Sequence, residues 1–138
     1  MDRTYTGRLF EFEVFGPVVV REWNKSKFWT LSESVDEAMK HQHKTWNPID
    51  PSRRMANDLH ALVCEYLKVD DYSTVRFYQS IGGPLDRFYG TDGIFEYQGN
   101  MVFIDTTLRD KGEKNGIVML HDTDDLKQKA LEIASELS

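Results

Sequence analysis

Two strand-like segments joined by a glycine and an asparagine constrain the fold of this chain more than any other feature. Residues 93–98 (GIFEYQ) and 101–108 (MVFIDTTL) are rich in the aromatic and β-branched side chains that favour strands. The pair Gly99-Asn100 between them is typical of a tight hairpin turn. The sequence therefore predicts an antiparallel hairpin within a sheet.

Three segments are predicted to be helices. The clearest covers residues 53–68, where apolar side chains recur at helical spacing. A shorter helix is predicted to begin after Ser32 or Ser34 as N-cap, because a glutamate follows Ser34 by three residues as in a capping box. A third, amphipathic helix is predicted to begin at Asp122 or Thr123 and to run to the end of the chain.

The N-terminal segment has the alternation of a β-hairpin. Phe10, Phe12 and Val14 would share one face of a strand. A Gly-Pro pair then breaks the strand, and the three valines at 18–20 indicate its partner.

These elements predict a single domain of the α+β class. Strands are also expected over residues 73–81 and 117–121, with a loop over 82–92. Residues 1–51 would form an N-terminal extension of β-hairpin and helix, and residues 52–138 a core of order αββββα. Because helices and strands are grouped, we expect a mostly antiparallel central sheet flanked by helices.

Length and charge exclude several classes of protein. The chain has 138 residues, a net charge of −6 and one cysteine, Cys64, so neither an intramolecular disulfide nor a cysteine-based zinc site is possible. No apolar run approaches the roughly 20 residues of a membrane helix, and the N-terminus lacks a signal-peptide core. We therefore expect a soluble cytoplasmic protein without membrane contact. The acidic balance counts against non-specific coating of nucleic acid, although a small basic cleft remains compatible with it.

Two aspartates bracket the predicted hairpin. Asp92 stands where a loop enters the first strand, and Asp105 stands near the end of the second. Antiparallel pairing would bring the two positions side by side, and carboxylates so placed suit Mg²⁺. For Asp92 alone, Thr-Asp-Gly is also ordinary turn chemistry. Asp105 is less easily explained without a ligand, because acidic residues are depleted in strands.

This stretch resembles the core of the PD-(D/E)xK nuclease superfamily, the restriction-endonuclease-like fold. The family pattern is an Asp, a hairpin, and then Asp or Glu, any residue and Lys, with a helix before the hairpin. Residues 52–108 carry the resemblance, through GIFEYQGNMVFID and the I-D-T-T that closes it. It implies that Asp92 and Asp105 bind Mg²⁺ or Mn²⁺, with the backbone carbonyl of Thr106 as a third ligand.

The chain departs from the family pattern at the lysine, where it has Thr107. That lysine orients or activates the attacking water and balances charge, and a hydroxyl supplies no positive charge. Lys111 and Lys114 in the following loop are the nearest substitutes, so Thr107 or Lys111 is expected to position the water. The family also has a helix after the motif, for which the loop that follows Thr107 leaves no room.

The helix before the hairpin offers two further candidate ligands. His60 resembles the helical histidine of the RecB-like exonuclease branch, and Glu65 the helical glutamate of other branches. At about 100° per residue, five positions apart, they point in different directions, so at most one would reach the metal. Both are also compatible with an ordinary solvated helix surface.

Four arginines are candidates for phosphate contacts, with a solvated surface as the alternative for each. Arg53 and Arg54 stand at the head of the predicted helix, and Arg76 and Arg87 flank the predicted site.

The resulting prediction is a divalent-metal nuclease that hydrolyses phosphodiester bonds in DNA or RNA, alone, as a homo-oligomer or within a larger complex. The alternative is an inactive nuclease-fold module that binds nucleic acid or a protein partner, which the missing lysine and the acidic charge favour. A third possibility is an interaction domain in which the hairpin is coincidental.

Overall fold

The computed structural model describes residues 7–17, 21–107, 116–121 and 125–138. Its elements, in chain order, are α1 (Gly7–Phe15), α2 (Leu31–Lys40), α3 (Arg54–Leu67), β1 (Arg76–Gln79), α4 (Pro84–Tyr89), β2 (Gly93–Tyr97), β3 (Asn100–Thr107), β4 (Ile117–His121) and α5 (Leu126–Leu137). Within these ranges, no helix combines the length and the apolar character that crossing a membrane requires.

The strands form one mixed sheet in the order β1-β2-β3-β4. The first two pairings are antiparallel, whereas β3 and β4 run parallel, from Phe103 opposite Ile117 to Thr107 opposite His121. The α+β class is confirmed, but the prediction of a mostly antiparallel sheet is wrong. Residues 108–116 join the parallel pair. A segment this short favours antiparallel pairing in a prediction from sequence, because a connection between parallel strands usually takes about a dozen residues or more.

The hairpin of β2 and β3 is confirmed, with its turn displaced by one residue. Tyr97 pairs with Asn100, so the turn consists of Gln98 and Gly99, whose φ angles are 52° and 83°. Positive φ at both central residues matches the turn that suits the twist of a two-residue hairpin.

The predicted N-terminal β-hairpin is wrong over the described residues, because residues 7–15 form helix α1. Phe10 and Val14, four residues apart, are fully buried on one helix face, while Phe12 between them is exposed. Three alternate apolar residues are too few to distinguish the two-residue period of a strand from the roughly 3.6-residue period of a helix. Packing against α3 favours the helix. The second predicted strand, residues 18–20, lies outside the described residues.

The helices cover both faces of the sheet. α1, α3 and α5 enclose the larger cluster of buried side chains on one face, which includes Phe95, Val102 and Ile104 of the hairpin. α2 and α4 cover the other face, where Ile94 and Phe103 of the same strands pack. The N-terminal segment is therefore part of the core that it was predicted to extend.

Two local predictions on this second face need correction. The N-cap of α2 is Thr30, whose Oγ1 accepts from the Glu33 backbone while Glu33 Oε1 accepts from the Thr30 backbone, a complete capping box. Residues 84–89, predicted as loop, form α4. Pro84 at its first turn was the signal for this helix, because proline suits a position whose N–H has no helical partner.

The outer edge of β1 is covered by groups from the preceding loops. Trp46 Nε1 donates to the Phe77 carbonyl at 2.7 Å, and the Phe77 N–H donates to the Pro48 carbonyl at 2.8 Å. The amide of Gln42 both donates to and accepts from the backbone of Gln79. An edge strand satisfied in this way offers few groups for pairing with another chain.

Gly93→Ala is expected to destabilise the protein. A Cβ at this position would lie 2.9 Å from a ring carbon of Phe77 and 3.0 Å from one of Phe15, both buried. Overpacking of this kind typically costs about 1–3 kcal/mol. Urea unfolding measures the loss, with Gly99→Ala as a strained but uncrowded control. An unchanged midpoint for Gly93→Ala would contradict the packing described here.

Candidate functional site

The backbone ladder places Asp92 at the junction of three strands. Its N–H donates to the Ile104 carbonyl at 2.8 Å, and its carbonyl accepts from Ser80 N–H at 2.8 Å. Since Gly93 pairs with Ile104, the next residues in antiparallel register are Asp92 and Asp105. Their side chains are 3% and 8% exposed, so the structure brings two buried carboxylates to one end of the hairpin.

The carboxylate of Asp92 is held by Thr106. Asp92 Oδ2 accepts from the Thr106 N–H at 3.1 Å and from its Oγ1 hydroxyl at 2.7 Å. Because the N–H and C=O of one strand residue point to the same side, the Thr106 carbonyl also faces the Asp92 side of β3. Of the predicted ligand set, Asp92 and Thr106 are therefore in direct contact.

A third acid, Asp86 in the first turn of α4, lies close enough to Asp92 for its charge to act there. Its Oδ2 accepts from the Gly82 N–H at 2.9 Å. The pKa of Asp92 is raised to about 8, first by burial and then by the negative charges of Asp86 and Asp105, while the hydrogen bonds from Thr106 oppose the shift. Asp86 was not among the predicted site residues, because residues 84–89 were predicted to be loop.

The donor chemistry fits a magnesium-like ion better than a zinc-like one. Two carboxylates and a backbone carbonyl are the oxygen ligands that Mg²⁺ prefers, with water completing the shell. Among the residues that the structure describes, no group of three or more His, Cys, Asp or Glu side chains is arranged to hold a metal. A cation between Asp92 and Asp105 would also offset the burial and the neighbouring negative charges that raise the pKa of Asp92.

The position of the motif lysine carries a buried hydroxyl. Thr107 is buried at the end of β3, opposite His121 of β4. Lys111, its predicted substitute, lies outside the described residues. Arg21 is a cation on this side of the sheet, but its guanidinium is directed at Glu37 and at the carbonyls of Gln79 and Ile81.

Arg21 and Glu37 form a buried ion pair that sequence reasoning missed. The Nη1 atom lies 3.4 Å from the Glu37 carboxylate, Nη2 donates to the Gln79 carbonyl at 2.7 Å, and Nε donates to the Ile81 carbonyl at 3.1 Å. Burial lowers the pKa of Arg21, and the charges of Glu37 and Asp86 act against that shift. No local pattern marks such a pair, because its residues belong to a loop and a helix that only the fold brings together.

The two predicted ligands on α3 lie elsewhere. His60 is buried, and its Nε2 is 2.7 Å from the Val75 carbonyl. Val75 is five residues before Ser80 along β1, a separation on the order of 16 Å at the rise of a strand. Glu65 is exposed on the same helix, which covers the face opposite α4. The structure therefore does not bring α3 to the paired aspartates.

The four candidate arginines are dispersed. Arg53 donates to the Phe12 carbonyl at 3.1 Å, and Arg54 is exposed, 3.9 Å from Asp58. Arg76 pairs with Glu96 at 3.3 Å, at the end of β1 far from Asp92. Arg87 is exposed on α4, directly after Asp86. Of the four, Arg87 is the one whose helix also carries an acid of the site.

Comparisons of the chain with protein-family models, with curated proteins and with solved structures find no match. The resemblance to the nuclease superfamily thus stays a prediction, and functional inference depends on the geometry around Asp92.

Proposed function

We propose that this protein is a cytoplasmic, Mg²⁺- or Mn²⁺-dependent phosphodiesterase that acts on nucleic acid. The observation that carries the proposal is the burial of Asp92 and Asp105, which lie directly beyond the last hairpin pair, Gly93 and Ile104, with the charge of Asp105 acting on Asp92. Two like charges are costly to bury side by side unless a cation lies between them. A bound cation would take the place of the proton that burial and the neighbouring charges keep on Asp92.

The surrounding elements support the restriction-endonuclease-like assignment. A helix, α3, precedes the strands, one aspartate stands just before β2 and the other near the end of β3. This is the order of elements on which the resemblance rests. The parallel β4 and the additional helix α4 between β1 and β2 are features that the sequence did not lead us to expect.

Each residue at the site has a defined role in the proposal. Asp92, Asp105 and the Thr106 carbonyl would hold the ion, and the Thr106 amide and hydroxyl fix the orientation of the Asp92 carboxylate. The bound ion would supply positive charge that stabilises the phosphate in the transition state and activates water for attack. Thr107, or Lys111 beyond it, would position that water.

Cleavage of labelled single- and double-stranded DNA and RNA, with Mn²⁺, Mg²⁺ or EDTA, tests the proposal. Asp105→Ala is expected to lower the metal-dependent rate at least about 100-fold, because it removes a ligand of the charge that stabilises the transition state. Asp58→Ala is the matched control, since Asp58 is an exposed helix residue with one weak ion pair. Equal rates for the two variants would remove Asp105 from the chemistry.

A second candidate function is a nucleic-acid- or protein-binding module without catalysis. The buried Thr107 hydroxyl at the lysine position favours it, since no charge can be supplied from there. In that case the native protein would bind Mn²⁺ and lose this binding in Asp105→Ala, while no substrate would be cut. A homo-oligomer or a larger complex would then be the functional unit.

A further inference from the structure

An aromatic cluster lies on the surface formed by the loop before α2 and by helix α4. The rings of Trp23 and Trp29 meet edge to face at 6.0 Å, and Trp23 meets Phe88 at 6.1 Å. Phe28 packs on Phe88 with ring centroids 5.3 Å apart. We name these four side chains the aromatic platform.

The platform is held in place yet remains accessible. Trp23 Nε1 donates to the Gly82 carbonyl at 3.0 Å, and Trp29 Nε1 donates to the Asn24 carbonyl at 2.8 Å, which orients both indoles. Phe28 is nevertheless 67% exposed and Phe88 37% exposed. Large aromatic rings held outside the core at a fixed orientation are the groups on which flat ligands stack.

Two lysines lie beside the tryptophans of the platform, although the chain as a whole carries a net charge of −6. Lys25 Nζ lies 5.8 Å from the centre of the Trp23 ring, and Lys27 Nζ lies 4.4 Å from that of Trp29. Lys27 also pairs with Glu33 at 2.9 Å. Flat rings next to positive charges complement a ligand that alternates flat bases with phosphates.

A cleft lies between Trp23 of the platform and Asp86 of α4. It has a volume of about 400 Å³ and is lined by Trp23, Lys25, Gly82, Gly83, Asp86 and Arg87. Asp86 is also the acid whose charge acts on Asp92. A strand lying across the platform would therefore have its backbone beside Asp86, the acid next to the candidate metal ligand Asp92.

We propose that the aromatic platform and its cleft bind single-stranded nucleic acid, with bases stacked on Phe28, Phe88 and Trp23 and phosphates contacted by Lys25 and Arg87. The inference gives the substrate class of the proposed phosphodiesterase and rests on that function for its chemistry. The binding itself can be measured without cleavage.

Single strands suit this surface better than a duplex does. The bases of a duplex are already stacked and paired, so an aromatic surface gains little from them. Stacking on an aromatic side chain is also tolerant of sequence, because every base has a flat face.

Fluorescence anisotropy of labelled oligothymidylate and oligouridylate in EDTA tests the proposal, with the native protein and with a Phe28→Ala, Phe88→Ala double variant. We expect the double variant to bind about 10-fold more weakly or worse. Tyr66→Ala is the matched control, because Tyr66 is as exposed as Phe88, at 37%, but lies on α3. Lys25→Gln is expected to reduce the salt dependence of binding by about one phosphate contact.

The outcomes separate this inference from the proposed function. Weaker binding by the double variant, but not by Tyr66→Ala, supports nucleic-acid binding at the platform, even if the native protein cuts no substrate with metal. Equal affinity in the double variant and Tyr66→Ala overturns it, as does tighter binding to a duplex of the same length. Sedimentation with phosphatidylserine vesicles, lost in the double variant while oligonucleotide binding is unchanged, would assign the surface to a membrane and also overturn it.

Discussion

Asp92→Asn is expected to make the metal-free protein more stable near neutral pH, by on the order of 5 kcal/mol at the upper end of the titration. The pKa of Asp92 is about 8 in the folded protein, against an ordinary value of 3.8. Between these values the folded state keeps a proton that the unfolded state has released, so the free energy of unfolding falls as pH rises. Asparagine never ionises, and its side-chain oxygen can still accept from Thr106.

Urea unfolding in EDTA at a series of pH values checks this result. Below about pH 4 Asp92 is protonated in both the folded and the unfolded state, so the native protein and Asp92→Asn should be similarly stable. The difference should grow up to about pH 8 and then level off. Asp70→Asn, at an exposed position, is the control and should leave the pH profile unchanged. A variant less stable than the native protein near pH 8 would show that Asp92 is not an uncompensated buried anion.

Metal should narrow the difference in stability between the two proteins. Mn²⁺ or Mg²⁺ that binds the folded native protein stabilises it by about 2.7 kcal/mol at a concentration 100 times Kd. The Asp92→Asn variant has lost one carboxylate ligand, so it should gain much less. The same gain in both proteins would place the bound ion away from Asp92.

Arg21→Met is expected to lower the free energy of unfolding by about 3–5 kcal/mol, the usual cost of leaving one partner of a buried ion pair uncompensated. Glu37 is buried beside Arg21, and the guanidinium also donates hydrogen bonds to the carbonyls of Gln79 and Ile81. Methionine fills a similar volume but donates no hydrogen bond. The loss therefore combines an unpaired carboxylate with a weakened end of β1.

The matched control for Arg21→Met is Lys40→Met. Lys40 pairs with Asp36 at 2.8 Å, but both side chains are largely exposed, so this loss should stay below about 1 kcal/mol. Urea unfolding of the two variants and of an Arg21→Met, Glu37→Met double variant decides the matter. The double variant should recover much of the stability, because it no longer buries an unpaired Glu37 carboxylate. Equal losses for Arg21→Met and Lys40→Met would contradict the burial of the pair.

Some elements were predictable because their signals are local. The stripe of apolar residues on α3 needed no partner to be recognised, and α3 is found within one residue of its predicted bounds. The two hairpin strands, β2 and β3, were similarly clear. Their antiparallel pairing was enough to predict that Asp92 and Asp105 would come close, and the charge of Asp105 acts on Asp92. Short segments were less certain. In α1, three alternate apolar residues fitted either period, and burial against α3 decided between them.

The sequence by itself determined the α+β class, the central hairpin and the pair of acids at its end, because strand spacing and turn residues act over a few positions. Only the tertiary structure decided the parallel pairing of β4, the buried Arg21–Glu37 pair and the approach of Asp86 to Asp92. These features join segments far apart in the chain. Their energies depend on burial and on charges brought together by folding, which local patterns do not encode.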